Sequence, residues 1–125
     1  MAAGMMEPTE RRRAPRVAER LPVAITEAGA QLTAETQNLS TSGAYCSMDR
    51  FIAPMTKLEL TLDVPDGASY TKVQCQGVVV RVEPAIGTPD HGRYHVAIFF
   101  TELSQRGRSA IARFVQQRLS GRPST

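Results

Sequence analysis

Cysteine is scarce: Cys46 and Cys75 are the only two in 125 residues. They are too few and too far apart for a disulfide framework or a zinc site. Each lies in an apolar, strand-like stretch, where a thiol acts as a small buried hydrophobe. Cysteine used this way suits a reducing compartment, so a cytoplasmic location is expected. No apolar run approaches the roughly 20 residues of a spanning helix. Met1 to Met6 lacks a basic region followed by an apolar stretch, so no secretory signal and no membrane partner are expected. There is no nucleophile elbow, no Walker loop and no dinucleotide-binding glycine pattern, and the carboxylates are scattered. Catalytic residues and an enzymatic activity are therefore not expected. His91 and His95 have a spacing that holds a metal on a helix, but their segment alternates like a strand, so no metal site is assigned. Aromatics are few (6%) and fall mostly at core positions, which argues against a nucleic-acid-binding barrel that stacks bases. No acid occurs between Leu103 and Thr125, and the net charge is +3, which leaves anionic partners open.

What the chain does have is apolar patterning (42% hydrophobic) over a length suited to one domain with its own core. Leu21, Val23 and Ile25 alternate with polar or small residues, and Pro22 points to an edge or a strand start. Ala28-Gly29-Ala30 reads as a turn. A second strand carries Leu32, Ala34 and Thr36 on one face and runs into the turn residues Asn38 to Gly43. Ala44 to Met48 is a short apolar strand. Alternation resumes at Met55 and Lys57 to Val64, with Leu58, Leu60, Leu62 and Val64 inward, until Pro65-Asp66-Gly67. Val73 to Val82 is a long valine-rich strand with a bulge expected at Gly77. Ala85 to Gly92 is a hairpin loop. Tyr94, Val96, Ile98 and Phe100 then face inward. The period finally changes: Ala110, Ile111, Phe114, Val115 and Leu119 form a helical stripe, with Ser104 as N-cap and Gly121 and Pro123 as the stop. Gly107 weakens the first turn of that helix. About six short strands followed by one helix suggest a sandwich or a barrel, all-β in class.

Two stretches carry candidate chemistry. Arg11-Arg12-Arg13-Ala14-Pro15-Arg16 places four arginines in six residues. Pro15 fixes its own φ and pushes Ala14 towards extended geometry, so the run is an arm rather than a helix. Guanidinium forks match phosphate and the O6/N7 edge of guanine. The second stretch, Asn38-Leu39-Ser40-Thr41-Ser42-Gly43, would serve as an ordinary turn if taken alone.

Taken together, Arg12-x-x-x-Arg16 followed by a strand pair and Asn38-x-Ser40-x-x-Gly43 resembles the PilZ family of cyclic di-GMP receptors. That family carries R-x-x-x-R on an N-terminal arm and D/N-x-S-x-x-G on its barrel. The resemblance covers Arg11 to Leu119, strand order and closing helix included. It implies a six-stranded antiparallel β-barrel with a C-terminal α-helix, spanning residues 11–120; residues 1–10, small, polar and Pro-containing, read as a flexible N-terminal tail and 121–125 as a C-terminal tail. It implies a ligand, cyclic di-GMP, and no other cofactor. The ligand-binding residues it implies are Arg12 and Arg16, with Arg11 as an added contact, and Asn38, Ser40 and Gly43. Arg81, which interrupts the valine-rich strand, joins this set because an arginine there contacts ligand in some relatives; its other use is simply to reach solvent. Arg16-x-x-x-Arg20 has the same spacing, but Arg20 abuts the first strand and leaves no arm. The resemblance further implies an effector protein as partner, with monomer and homodimer both open. The competing expectation is an adaptor of the same fold that binds protein without nucleotide.

Overall fold

A computed structural model describes residues 16–86 and 93–120. Arg11, Arg12, Arg13, His91 and the helix-stop residues Gly121 and Pro123 lie outside these, as do both expected tails. The described residues form β1 (Pro22–Glu27), β2 (Ala30–Leu39), β3 (Gly43–Met48), β4 (Lys57–Asp66), β5 (Ser69–Pro84), β6 (Tyr94–Leu103) and α1 (Gln105–Leu119). The strands close into an antiparallel barrel in the order β1-β2-β3-β6-β5-β4, with β4 returning to β1.

The alternation legible in the sequence builds the interior. Val23 and Ile25 of β1, Leu58, Leu60, Leu62 and Val64 of β4, Val73 and Val79 of β5, and Val96 and Ile98 of β6 are all buried. Pro22 opens β1, where its missing N–H interrupts no ladder. Ala28 and Gly29 both take positive φ (50° and 85°), the mirror-image turn whose twist suits a two-residue hairpin. The β4–β5 turn falls one residue later than its sequence suggests. Pro65 and Asp66 still pair with Tyr70 and Ser69, and Gly67 takes the positive φ.

Helix α1 lies against β4 and β5 through Ala110, Ile111, Phe114 and Val115. Ser104 caps it by accepting the Gly107 N–H at 3.0 Å. Gly107 is more than a weak helix residue. A Cβ there would stand 3.0 Å from Val73 Cγ1 and 3.2 Å from Leu103 Cδ1, so its absence lets the first turn sit on the barrel. Two ion pairs tie the helix down: Arg113 to Asp66 at 2.8 Å and Arg118 to Glu19 at 2.9 Å. The Arg113 guanidinium and the Thr71 hydroxyl hold the Asp66 carboxyl below its ordinary value.

Two readings of the sequence require correction. Leu119 lies beyond the contact between α1 and the barrel and is 54% exposed. Met55 does not begin a strand: it sits in the β3–β4 connection with φ 75° and is 74% exposed. The buried apolar residue of that connection is Ile52.

Phe114 is fully buried beneath the helix, so Phe114→Ala should lower the free energy of unfolding by about 3–5 kcal/mol in a urea titration. Burial pushes the Cys46 thiol up to about 12 and the Cys75 thiol up to about 11. At pH 8 both are overwhelmingly thiols in the folded chain, so alkylation of native protein should be slow and governed by opening of the fold. Rapid labelling of native protein would contradict that placement.

Candidate ligand-binding site

A strand sends alternate side chains to opposite faces. On β2, Leu32, Ala34 and Thr36 face inward, so unbroken alternation would send Asn38 inward as well. On β5, Val73, Cys75, Gly77 and Val79 face inward, and Arg81 shares their parity. Neither residue follows its parity. The β2–β3 register steps from Thr36↔Cys46 to Asn38↔Tyr45, leaving Gln37 as an extra residue. The β5–β6 register steps from Val79↔Ile98 to Arg81↔Ala97, leaving Val80 as an extra residue. These are β-bulges, and each flips the side chains that follow it. A third shift lies opposite Gly77, but its extra residue is Thr101 of β6; β5 keeps its alternation through Gly77, so the bulge expected there falls on the partner strand instead.

The two bulges deliver a single row across four strands. Asn38 pairs with Tyr45, Tyr45 with Ala97, and Ala97 with Arg81. All four side chains face outward, over a depression of about 520 Å³ that is also lined by Arg16, Ser42, Val80 and Phe99. Val80 and Phe99 expose apolar surface here, at 52% and 51%.

Arg16 reaches this rim from the chain segment before β1. Its Nη1 donates to Asn38 Oδ1 at 2.7 Å, which joins the last arginine of the first motif to the first residue of the second. The segment is stitched to the barrel just behind it. Val17 and Leu39 exchange both backbone bonds at 3.0 Å. Leu21 N–H donates to Thr36 Oγ1 at 2.8 Å, and the Thr36 hydroxyl donates to the Glu19 carbonyl. Arg20, the alternative motif arginine, is bound to Glu35 on the β2 side at 2.8 Å.

Ser40 and Gly43 shape the turn rather than the surface of the depression. Ser40 is fully buried, and its Oγ accepts the Ser42 N–H at 3.1 Å, while its own N–H donates to the Gly43 carbonyl at 2.9 Å. Gly43 has no positive φ, so backbone turning is not its reason. Instead β6 passes so close that a Cβ would lie 2.2 Å from the Ile98 carbonyl oxygen. The turn is held from the other side by Phe100 N–H, which donates to the Ser42 carbonyl at 2.9 Å.

Arg81 is positioned by two neighbours. Its Nε lies 3.1 Å from Glu83 Oε2, and its guanidinium carbon sits 5.8 Å from the centre of the Tyr45 ring. Tyr45 donates its hydroxyl to Glu83 Oε1 at 3.3 Å. Burial first, and then the Glu83 charge, push the Tyr45 phenol above its ordinary value of 10.0, so it remains a donor. Sequence reasoning had not selected Tyr45, Val80, Glu83 or Phe99. One signal was present: Arg81 and Asn38 stand at inward parity in otherwise apolar faces, which calls for a bulge beside each.

A family profile described as PilZ domain matches residues 10–117. Among solved structures, the chain is similar to the inhibitor of motility MotI (DgrA) of Bacillus subtilis. The TM-score is 0.80 at 17% identity, over 90% of this chain and 53% of that one. It thus spans about half the length of that protein. It is also similar to the PilZ domain of YcgR from Escherichia coli, a structure with c-di-GMP, with TM-score 0.65 at 9% identity over 90% and 99% of the two chains. The PilZ domain of CeSA from a cellulose-synthesising bacterium gives 0.55 at 19% identity over 83% and 97%. At such identities the likeness is one of fold. No curated protein matches the chain by sequence.

Gly43→Ala sets a methyl group against backbone that has nowhere to go. Its free energy of unfolding, from a urea titration, should fall by at least the ~1–3 kcal/mol typical of overpacking, lowering the midpoint. Ser40→Ala should cost about 1 kcal/mol through the lost turn bond. Unchanged midpoints in both would mean that the turn is not held as described.

Proposed function

The chain belongs to the PilZ family, and on that premise we propose that it is a non-enzymatic receptor for cyclic di-GMP, whose binding prepares a surface for a partner protein. The observation that carries this reading is the 2.7 Å bond between Arg16 and Asn38, because it brings the two motifs together at the rim of a depression that also holds Arg81.

The ligand offers two phosphates and two guanines. Phosphate calls for cations, and the Hoogsteen edge of guanine calls for paired donors; guanidinium serves both. In this reading Arg12 and Arg16 take phosphate and a guanine edge, with Arg11 as a further contact from the arm and Arg81 as the contribution of the barrel. Asn38 orients the Arg16 fork. Ser40 and Gly43 act beneath the surface by keeping the turn in place. The exposed faces of Val80 and Phe99 offer apolar surface to a base. Arginines crowded on the arm repel one another until the dianion neutralises them, so ligand draws the arm onto the barrel. The combined surface of arm and barrel then differs between the liganded and free states, and a partner that distinguishes them is switched.

Calorimetric titration with cyclic di-GMP should give low-micromolar or tighter binding that weakens as salt rises. Arg12→Ala and Arg16→Ala should each reduce affinity by roughly 10–100-fold, the scale of a lost charge-assisted pair. Absence of heat, together with absence of chemical-shift change, would overturn the receptor reading in favour of an adaptor that ignores nucleotide.

A further inference from the structure

Glu83 does not line the depression, yet it touches two residues that do. One carboxylate oxygen takes the Tyr45 hydroxyl and the other faces the Nε of Arg81. Arg81 and Glu83 lie two apart on the same outer face of β5, so they sit on one face by strand geometry alone. Tyr45 comes from β3, two strands away, and reaches them because the residue between on β6 is Ala97. A large side chain at Ala97 would separate the phenol from the guanidinium. The Val80 bulge completes the arrangement, since without it Arg81 would point into the barrel.

We propose that Glu83 and Tyr45 are positioning residues that hold Arg81 as a reader of phosphate or guanine, resting on the receptor reading above. An arginine has two forks: one through Nε and one Nη, the other end-on through both Nη atoms. Glu83 Oε2, 3.1 Å from Nε, faces the first fork from behind. The Nη side is the one presented to a ligand, beside the Tyr45 ring, whose centre lies 5.8 Å from the guanidinium carbon and whose hydroxyl also interacts with the arginine. A long side chain that is already immobilised loses less freedom on binding, so affinity rises with preorganisation. The carboxylate works against this by repelling a dianion, and the sign of its net effect separates the two roles. A positioning residue raises affinity despite its charge, whereas a mere counter-ion lowers it.

The test is calorimetric titration of cyclic di-GMP into wild type, Glu83→Ala, Arg81→Ala and the double variant. Positioning predicts that Glu83→Ala weakens binding by roughly tenfold, although it removes a negative charge from beside a dianion. It also predicts that the double variant binds like Arg81→Ala alone, because Glu83 acts only through that arginine. Melting temperatures should be unchanged across the set, since both side chains are exposed. Equal or tighter binding by Glu83→Ala, or losses that simply add, would overturn the proposal. The Arg81 Nε–H resonance of the ligand-free protein gives an independent reading. It should be shifted in wild type and return to the free-arginine position in Glu83→Ala, and coincident resonances would overturn the clasp. If wild type binds no cyclic di-GMP, the receptor reading falls by itself and the resonance alone decides whether the arginine is held.

Discussion

In a closed barrel every strand must give one face to the interior, and a charged or amide side chain delivered there without partners costs several kcal/mol. The candidate site depends on how the chain meets that constraint. Asn38 and Arg81 both stand at inward parity, and both would be buried by regular alternation. One extra residue in each strand, Gln37 and Val80, reverses the parity just before the polar residue is reached. The interior is then completed by Leu39 and Val82, while the outer face gains a row in which Asn38, Tyr45, Ala97 and Arg81 lie side by side. The bulges thus solve a burial problem and assemble the site in the same step.

The rest of the architecture keeps that row in register. The turn from Ser40 to Gly43 is closed by its own backbone and by the Ser40 hydroxyl, and β6 lies against it too closely for any side chain at Gly43. The segment that carries Arg16 is bound to β2 by a backbone bridge and to α1 through Glu19 and Arg118. Among the described residues no buried side-chain nitrogen or oxygen lacks a partner, so these polar contacts come without a desolvation debt. The helix therefore packs on β4 and β5 and, through Arg118 and Glu19, also fixes the segment that carries Arg16.

Much of this was legible beforehand. Periodicity located six strands and the helix, because side chains in a barrel report their face at every second position. The N-cap at Ser104 was legible from residue type alone, whereas the bulge expected at Gly77 was not: the extra residue opposite it is Thr101 of β6, and β5 bulges at Val80. The two motifs pointed to the site through family resemblance rather than through spacing. Other features were not legible. Met55 stands at the outward parity of β4, with Lys57 and Glu59, and its φ of 75° breaks the strand conformation, although its N–H still bonds the Val79 carbonyl of β5. Leu119 continues the helical stripe, but among the described residues it is left more than half exposed. Ser40 and Gly43 belong to the motif, but their local chemistry cannot tell a ligand contact from a structural one.

The sequence by itself determined the alternation, the turns and the helix, and so the all-β class. These follow from the local geometry of strands and helices, which each segment carries without reference to the others. Only the tertiary structure decided that Asn38 and Arg81 face outward, that they share a row with Tyr45, and that Glu83 stands behind the arginine. Those outcomes depend on register, and register is set between strands. A one-residue slip changes the face of everything that follows it, and no single strand records where its neighbour has slipped.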